Sequence, residues 1–265
     1  MSGYIAIFER SELKYRLSPP QVEAFMQAVE KNMIHDAYGK TLISSMYWDT
    51  PNRSLIGRSV EHPLYKEKLR LRRYGSRMLL DENPCFVELK KKYKGIVYKR
   101  RLQTSGVAAR QLLAGSEGEL SSATSSQSSG ESKADISHSA QNRQVAAEVA
   151  AFRHRSGVLV PSMLIECERT AWVLPPHSPY SQSELRITLD EDLRYLDLMT
   201  VSPSDEPLAA RRAGPLIAPG EAVLEIKALN AMPHWLVREL SENAIRPASF
   251  TKYGSAYATV MCGSR

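Results

Sequence analysis

The sequence predicts an α+β fold built on an antiparallel β-barrel of about eight strands, with helices packed on the outside and a basic tunnel within. Three observations predict it. Short segments in which apolar and charged residues alternate dominate the chain, and alternation of period two is the mark of a strand with unlike faces. The polar positions of those segments hold almost only Lys, Arg and Glu. Helical periodicity is confined to a few stretches between them.

The expected strands are Glu9–Leu17, Leu42–Trp48, Lys66–Tyr74, Cys85–Lys92, Ile96–Thr104, Ser162–Val173, Glu184–Leu189 and Ala222–Ala228. A first helix follows Ser18, a good N-cap, with Pro19 and Pro20 suited to its opening turn. Its apolar positions Val22, Phe25, Met26 and Val29 recur at helical spacing. Arg143–Arg155, Pro233–Asn243 and Ser249–Val260 are expected as further helices. The stretch from about 114 to 139 is rich in Ser and Gly. It has too little apolar surface to order itself, and reads as a disordered insertion within one domain spanning 1–265. Loops rich in Pro and Ser fill 175–183 and 202–220.

The bulk numbers suit a globular protein with a full core: 265 residues, 43% hydrophobic, 24% charged. Lys and Arg number 35 against 29 Asp and Glu, for a formal net charge of +6. An excess of that size makes placement the question, and an anionic partner the expectation. Cys85, Cys167 and Cys262 are far apart, which argues against a disulfide framework or a zinc site and for buried reduced thiols. No run approaches the ~18 apolar residues of a membrane span, and no signal peptide is evident. The cytoplasm is the expected location.

The phase of the charges is the informative feature. Lys68, Arg70 and Arg72 share one face of a strand, with Leu69 and Leu71 on the other. Glu88, Lys90 and Lys92 oppose Cys85, Val87 and Leu89. Arg186, Thr188 and Asp190 oppose Leu185, Ile187 and Leu189, while Glu225 and Lys227 oppose Leu224 and Ile226. Glu12 and Lys14 oppose Leu13 and Tyr15. A sheet with one wet face also alternates in this way. Strands nevertheless disfavour Lys and Glu, and like charges placed opposite each other cost energy. Charges turned inward on many strands need a polyanion such as triphosphate or polyphosphate, with Arg as fork and Lys as point charge.

The same residues carry a resemblance. Glu12-Leu-Lys-Tyr, Tyr47-Trp-Asp-Thr-Pro, Tyr65-Lys-Glu-Lys-Leu-Arg-Leu-Arg-Arg-Tyr-Gly and Phe86-Val-Glu-Leu-Lys-Lys-Lys-Tyr stand in order along the chain. Glu168-Arg-Thr-Ala, Leu185-Arg-Ile-Thr-Leu-Asp, Leu224-Glu-Ile-Lys and Phe250-Thr-Lys-Tyr follow them. Together they resemble the polyphosphate polymerase domain of the vacuolar transporter chaperone (VTC) family, within the triphosphate tunnel metalloenzymes. The resemblance implies transfer of the terminal phosphate of ATP onto a polyphosphate chain, with Mn²⁺ or Mg²⁺ as cofactor. It implies that Lys14, Lys68, Arg70, Arg72, Lys90, Lys99, Arg169, Arg186, Lys227 and Lys252 hold phosphates. Lys14, Arg70, Arg72, Lys90, Arg169, Arg186 and Lys227 would act in the reaction, and Glu225 would hold the metal.

The implied partners are ATP and polyphosphate, with no nucleic acid; a separate membrane protein is a further candidate partner. Hydrolases of the superfamily often open on Glu-x-Glu-x-Lys, where this chain has Arg10, Glu12 and Lys14, which favours the polymerase branch. A hydrolase of tripolyphosphate or an organic triphosphate, and a non-catalytic polyphosphate-binding module, stay open as alternatives. No Ser-His-Asp set is evident, and phosphoryl transfer requires none.

Overall fold

A computed structural model of the chain describes residues 10–94, 96–115, 140–200, 208, 211, 213–229 and 231–263. From residue 116 on, the expected Ser-rich insertion lies outside the described residues, as does much of 202–212. The fold is α+β with an antiparallel sheet. Its strands are β1 (Arg10–Leu17), β2 (Ile34–His35), β3 (Thr41–Asp49), β4 (Tyr65–Tyr74), β5 (Pro84–Tyr93), β6 (Ile96–Ser105), β7 (Val160–Val173), β8 (Arg186–Asp197), β9 (Gly214–Pro215) and β10 (Ala222–Leu229). The helices are α1 (Pro19–Asn32), α2 (Ser54–Val60), α3 (Gly106–Ala114), α4 (Ala140–Ser156), α5 (His234–Glu242) and α6 (Lys252–Gly263). Among the described residues no helix is long and apolar enough to cross a membrane.

The chain divides into two compact units. The first comprises Met1–Leu42, Cys167–Arg194 and Pro215–Lys252. Its strands lie in the order β1-β10-β8-β7, with β2 beside β7 and β9 beside β8. Leu13, Tyr15 and Leu17 of β1, Ile187 and Leu189 of β8, and Leu224 and Ile226 of β10 form one apolar cluster. Phe25 and Val29 of α1 and Trp235, Leu236 and Leu240 of α5 close over it. Each large side chain buried there contributes ~1.5–3 kcal/mol. The start of α1 is fixed as its sequence suggests: the Ser18 backbone N–H donates to Gln21 Oε1 at 3.0 Å, and the prolines occupy positions whose N–H groups have no helical partner.

The second unit comprises Ile43–Glu166, Tyr195–Gly214 and Tyr253–Arg265. Its strands lie in the order β7-β3-β4-β5-β6. Leu69 stands opposite Leu89, and Leu71 opposite Val87. This apolar face packs against Ala109 and Leu113 of α3 and Val149 and Phe152 of α4. The start of α3 is built tightly. Ser105 Oγ accepts the Ala108 N–H at 3.1 Å, and a Cβ on Gly106 would meet the carbonyl oxygens of Asp81 and Leu79 at 2.7 Å. Only glycine lets the chain pass this close.

Four features depart from the sequence expectation. Helices α2 and α3 are absent from the expected elements. Strand β8 runs on to Asp197, past the expected end at Leu189. Asp49, which from the sequence is expected as a strand-to-loop turn residue, has a further part. Its carboxylate accepts the N–H groups of Leu55 and Ile56, both at 3.0 Å, and so caps α2. Cys85 and Cys167 are buried as expected, but Cys262, near the end of α6, is exposed.

Candidate functional site

In the second unit the helices cover Leu69, Leu71, Val87 and Leu89, so the side chains between them leave on the opposite face. Antiparallel register sorts that face into rows. Lys68 stands opposite Lys90, and Lys90 opposite Lys99, which sets three lysines side by side across β4, β5 and β6. The next row is Tyr47, Arg70, Glu88 and Arg101. Arg72 follows, its Nε donating to Ser45 Oγ at 3.2 Å.

Glu88 organises these cations. Its side chain is 1% exposed, with Arg101 at 2.6 Å, Arg70 at 2.7 Å and Lys99 at 2.9 Å. Arg72 approaches to 4.0 Å. Burial opposes the charge on Glu88, yet Arg70, Arg72 and Lys99 hold the carboxyl well below the usual range. One acid among four cations leaves the face short of negative charge. Burial, with Arg101 and Arg70 nearby, accordingly pushes the Lys99 ammonium down in spite of Glu88. Arg72 is pushed down by burial and by Arg70. Burial would raise the Tyr47 hydroxyl, but the fields of Arg70, Arg72 and Lys68 and a hydrogen bond from Arg70 lower it to about 8. The Tyr47 ring stacks on Tyr253, centroids 4.4 Å apart. Tyr253 in turn hydrogen-bonds Asp49 and Ser162, each at 2.8 Å.

The first unit carries a second charged face. Glu12, Lys227 and Arg186 form one row across β1, β10 and β8, and Lys14, Glu225 and Thr188 the next. Glu225 pairs with Lys227 and, at 3.7 Å, with Lys14. Burial works against its charge, but the two lysines draw its carboxyl down to about 2. Glu225 is therefore ionised at neutral pH. Beside it Thr188 is 3% exposed, and its hydroxyl has no partner among the described residues. Asp190 takes the part that Glu88 plays in the other unit. Both its oxygens accept from Arg169, at 2.6 and 2.7 Å, and it pairs with Lys252 at the start of α6. Burial opposes its ionisation, and Lys252 and Arg169 hold it far below the usual carboxylate range.

The predicted site residues therefore fall into two sets. Lys68, Arg70, Arg72, Lys90 and Lys99 lie together in the second unit. Lys14, Arg169, Arg186, Lys227, Lys252 and Glu225 lie in the first. Arg186 shares the face with Lys227 by register, although its guanidinium reaches Asp36 at 3.0 Å. Sequence reasoning gave no role to Glu88, Asp190, Arg101, Tyr47 or Thr188. The available signal for the two acids was a lone carboxylate in phase with cations on its own strand.

Among the described residues no three His, Cys, Asp or Glu side chains gather as a metal site. The donor set on β1 and β10 nevertheless suits one kind of ion. Glu225 is ionised, and Glu12 lies on the same face one position along on the neighbouring strand. A magnesium-like cation takes one or two protein carboxylates and completes its shell with phosphate oxygens and water.

Comparison with known proteins gives one family. The model of the VTC domain matches residues 9–261. No curated protein matches the chain. Among solved structures, a "putative adenylate cyclase" from Vibrio parahaemolyticus is similar at 12% identity and TM-score 0.45, covering 94% of this chain and 98% of that one. A "putative adenylate cyclase" from Bacillus halodurans is similar at 14% identity and TM-score 0.43, covering 91% and 92%. Likeness of that degree does not extend to activity.

Proposed function

We propose, since the chain belongs to the VTC domain family, that it is a polyphosphate polymerase that moves the terminal phosphate of ATP onto a growing polyphosphate chain. The observation that carries this reading is the row Lys68, Lys90, Lys99, set directly above Arg70, Glu88 and Arg101. Adjacent like charges in register weaken a sheet. A linear polyanion compensates them, since each phosphate unit offers oxygens to a lysine point charge or an arginine fork. The unpartnered hydroxyl of Thr188 beside Glu225 is a further donor for such a ligand.

In the transfer, the bond between Pγ and the bridging oxygen of ATP breaks and ADP leaves. A terminal phosphate oxygen of the acceptor chain forms the new O–P bond. That oxygen is already anionic, so no protein base takes a proton. The chain's part is to position both anions and to neutralise charge on the transferred group. In the second unit Arg70, Arg72 and Lys90 would supply neutralising charge, with Glu88 holding the arginine planes in place; in the first unit Lys14, Arg169, Arg186 and Lys227 would do so, with Asp190 holding that of Arg169. Glu225, with Glu12 beside it, would hold Mg²⁺ or Mn²⁺, which would supply further positive charge to the phosphates.

Incubation of the protein with ATP and Mn²⁺, with and without a short polyphosphate primer, tests this on a gel that resolves chain length. Long polyphosphate that disappears with EDTA and with Glu225→Ala is the expected result. Orthophosphate without chain growth would instead assign the chain to a triphosphate hydrolase.

A further inference from the structure

We propose that the far end of the β5–β6 hairpin docks on an anionic lipid surface. One face of β4, β5 and β6 changes character along its length. Along it Leu69 and Leu89 are fully buried beneath the helices. Four residues away on the same face the cover ends. Tyr65, Tyr93 and Ile96 form a row across the three strands, and Tyr98 stands next along β6. Their exposures are 48%, 46%, 58% and 50%, and the adjoining Leu64 is 71% exposed. Single exposed apolar residues are ordinary, whereas a contiguous patch marks an interaction site.

The charge around the patch identifies the partner. From Lys91 to Arg101 the chain carries six Lys and Arg and no Asp or Glu. Four of these are committed inward or along the helix: Lys99 and Arg101 to Glu88, Lys91 and Arg100 to Glu148. Lys94 remains exposed at the hairpin end, over the Tyr93 ring at 5.5 Å, and Lys92 is exposed at the same end on the opposite face of β5. Tyrosines with an apolar ring and a wet hydroxyl settle at the level of lipid headgroups. Lysines lay their stems along apolar surface and keep the ammonium in water, where anionic headgroups attract it. Single-stranded nucleic acid would use the tyrosines for stacking, but it leaves Ile96 and Leu64 without a partner.

The test is co-sedimentation of the whole protein with phosphatidylcholine vesicles, with and without phosphatidylserine, in the absence of nucleotide. A negative result there therefore leaves the polymerase reading standing. The expected result is partition onto the phosphatidylserine vesicles that weakens as salt rises. Ile96→Ser combined with Tyr98→Ser should lower it at least ~10-fold, and Lys94→Gln several-fold at low salt. Both residues of the double variant are exposed, so it should melt with the wild type and bind polyphosphate unchanged. Should it misfold, Leu64→Ser carries the same expectation. Equal partition onto both vesicle types, or no partition, overturns the proposal. So does binding that survives the apolar substitutions, or binding to single-stranded oligonucleotide with none to vesicles.

Discussion

Glu88 and Asp190 show how single residues set the chemistry of each charged face. Each is a buried carboxylate, almost without solvent contact, on which cations from separate elements converge. Removing one member of such a buried group leaves the rest uncompensated, at a cost of ~3–5 kcal/mol. Glu88→Gln should therefore unfold at clearly lower urea than the wild type. Added polyphosphate should restore much of the loss, because a ligand that supplies the missing negative charge binds only the folded chain. A variant that is equally destabilised with and without polyphosphate would show that the cations do not face the ligand. Tyr47 gives a prediction of the opposite kind. Its hydroxyl titrates at about 8 instead of 10, because Arg70, Arg72 and Lys68 outweigh the effect of burial. For an acid so depressed, the stabilisation is full above its ordinary value and is lost as pH falls through about 8. The ionised form also adds negative charge to an anion site, so polyphosphate affinity should fall several-fold as pH rises through that value. Affinities of wild type and Tyr47→Phe measured from pH ~7 to ~9.5 check this: the variant should lack the step.

At the scale of elements, the strands were legible in the sequence because period-two alternation needs no knowledge of partners. Leu69 and Leu71 already announce a covered face, and Lys68, Arg70 and Arg72 an opposite one. The helices over the apolar faces were legible where they are long, as in α1 and α4. Helices α2 and α3 were not. Helix α2 has seven residues and begins after Arg53 in a left-handed conformation, and its cap, Asp49, lies at the end of the preceding strand. Helix α3 opens on Gly106, a poor helix former, so only Ser105 at its N-cap could have betrayed it. The structure explains that glycine by the 2.7 Å approach of two carbonyl oxygens. Gly106→Ala should thus cost ~1–3 kcal/mol, as overpacking does, although alanine favours helix. Urea unfolding checks the sign, and a stabilised variant would mean that the Asp81 turn moves away freely. The organising acids were hidden for a different reason. Glu88 meets Arg70 and Arg101 only through pairings that no local pattern reveals.

For the molecule as a whole, a net charge of +6 is unremarkable as a total, and its arrangement is what matters. Cations gather on one face of the strands of each unit while helices cover the other. Each of those faces keeps a buried acid, Glu88 or Asp190, that holds cations in place without neutralising the set. That plan suits positioning and charge neutralisation of phosphates, which is most of what phosphoryl transfer asks of a protein. The most direct measurement follows ATP labelled at its γ-phosphate in the presence of Mn²⁺ and a short polyphosphate primer, resolving polymer from orthophosphate over time. Label that enters polymer in step with ADP release, and is lost in Arg70→Ala and Arg169→Ala, is the predicted result. Label that appears only as orthophosphate, or that stays on ATP, would contradict the account.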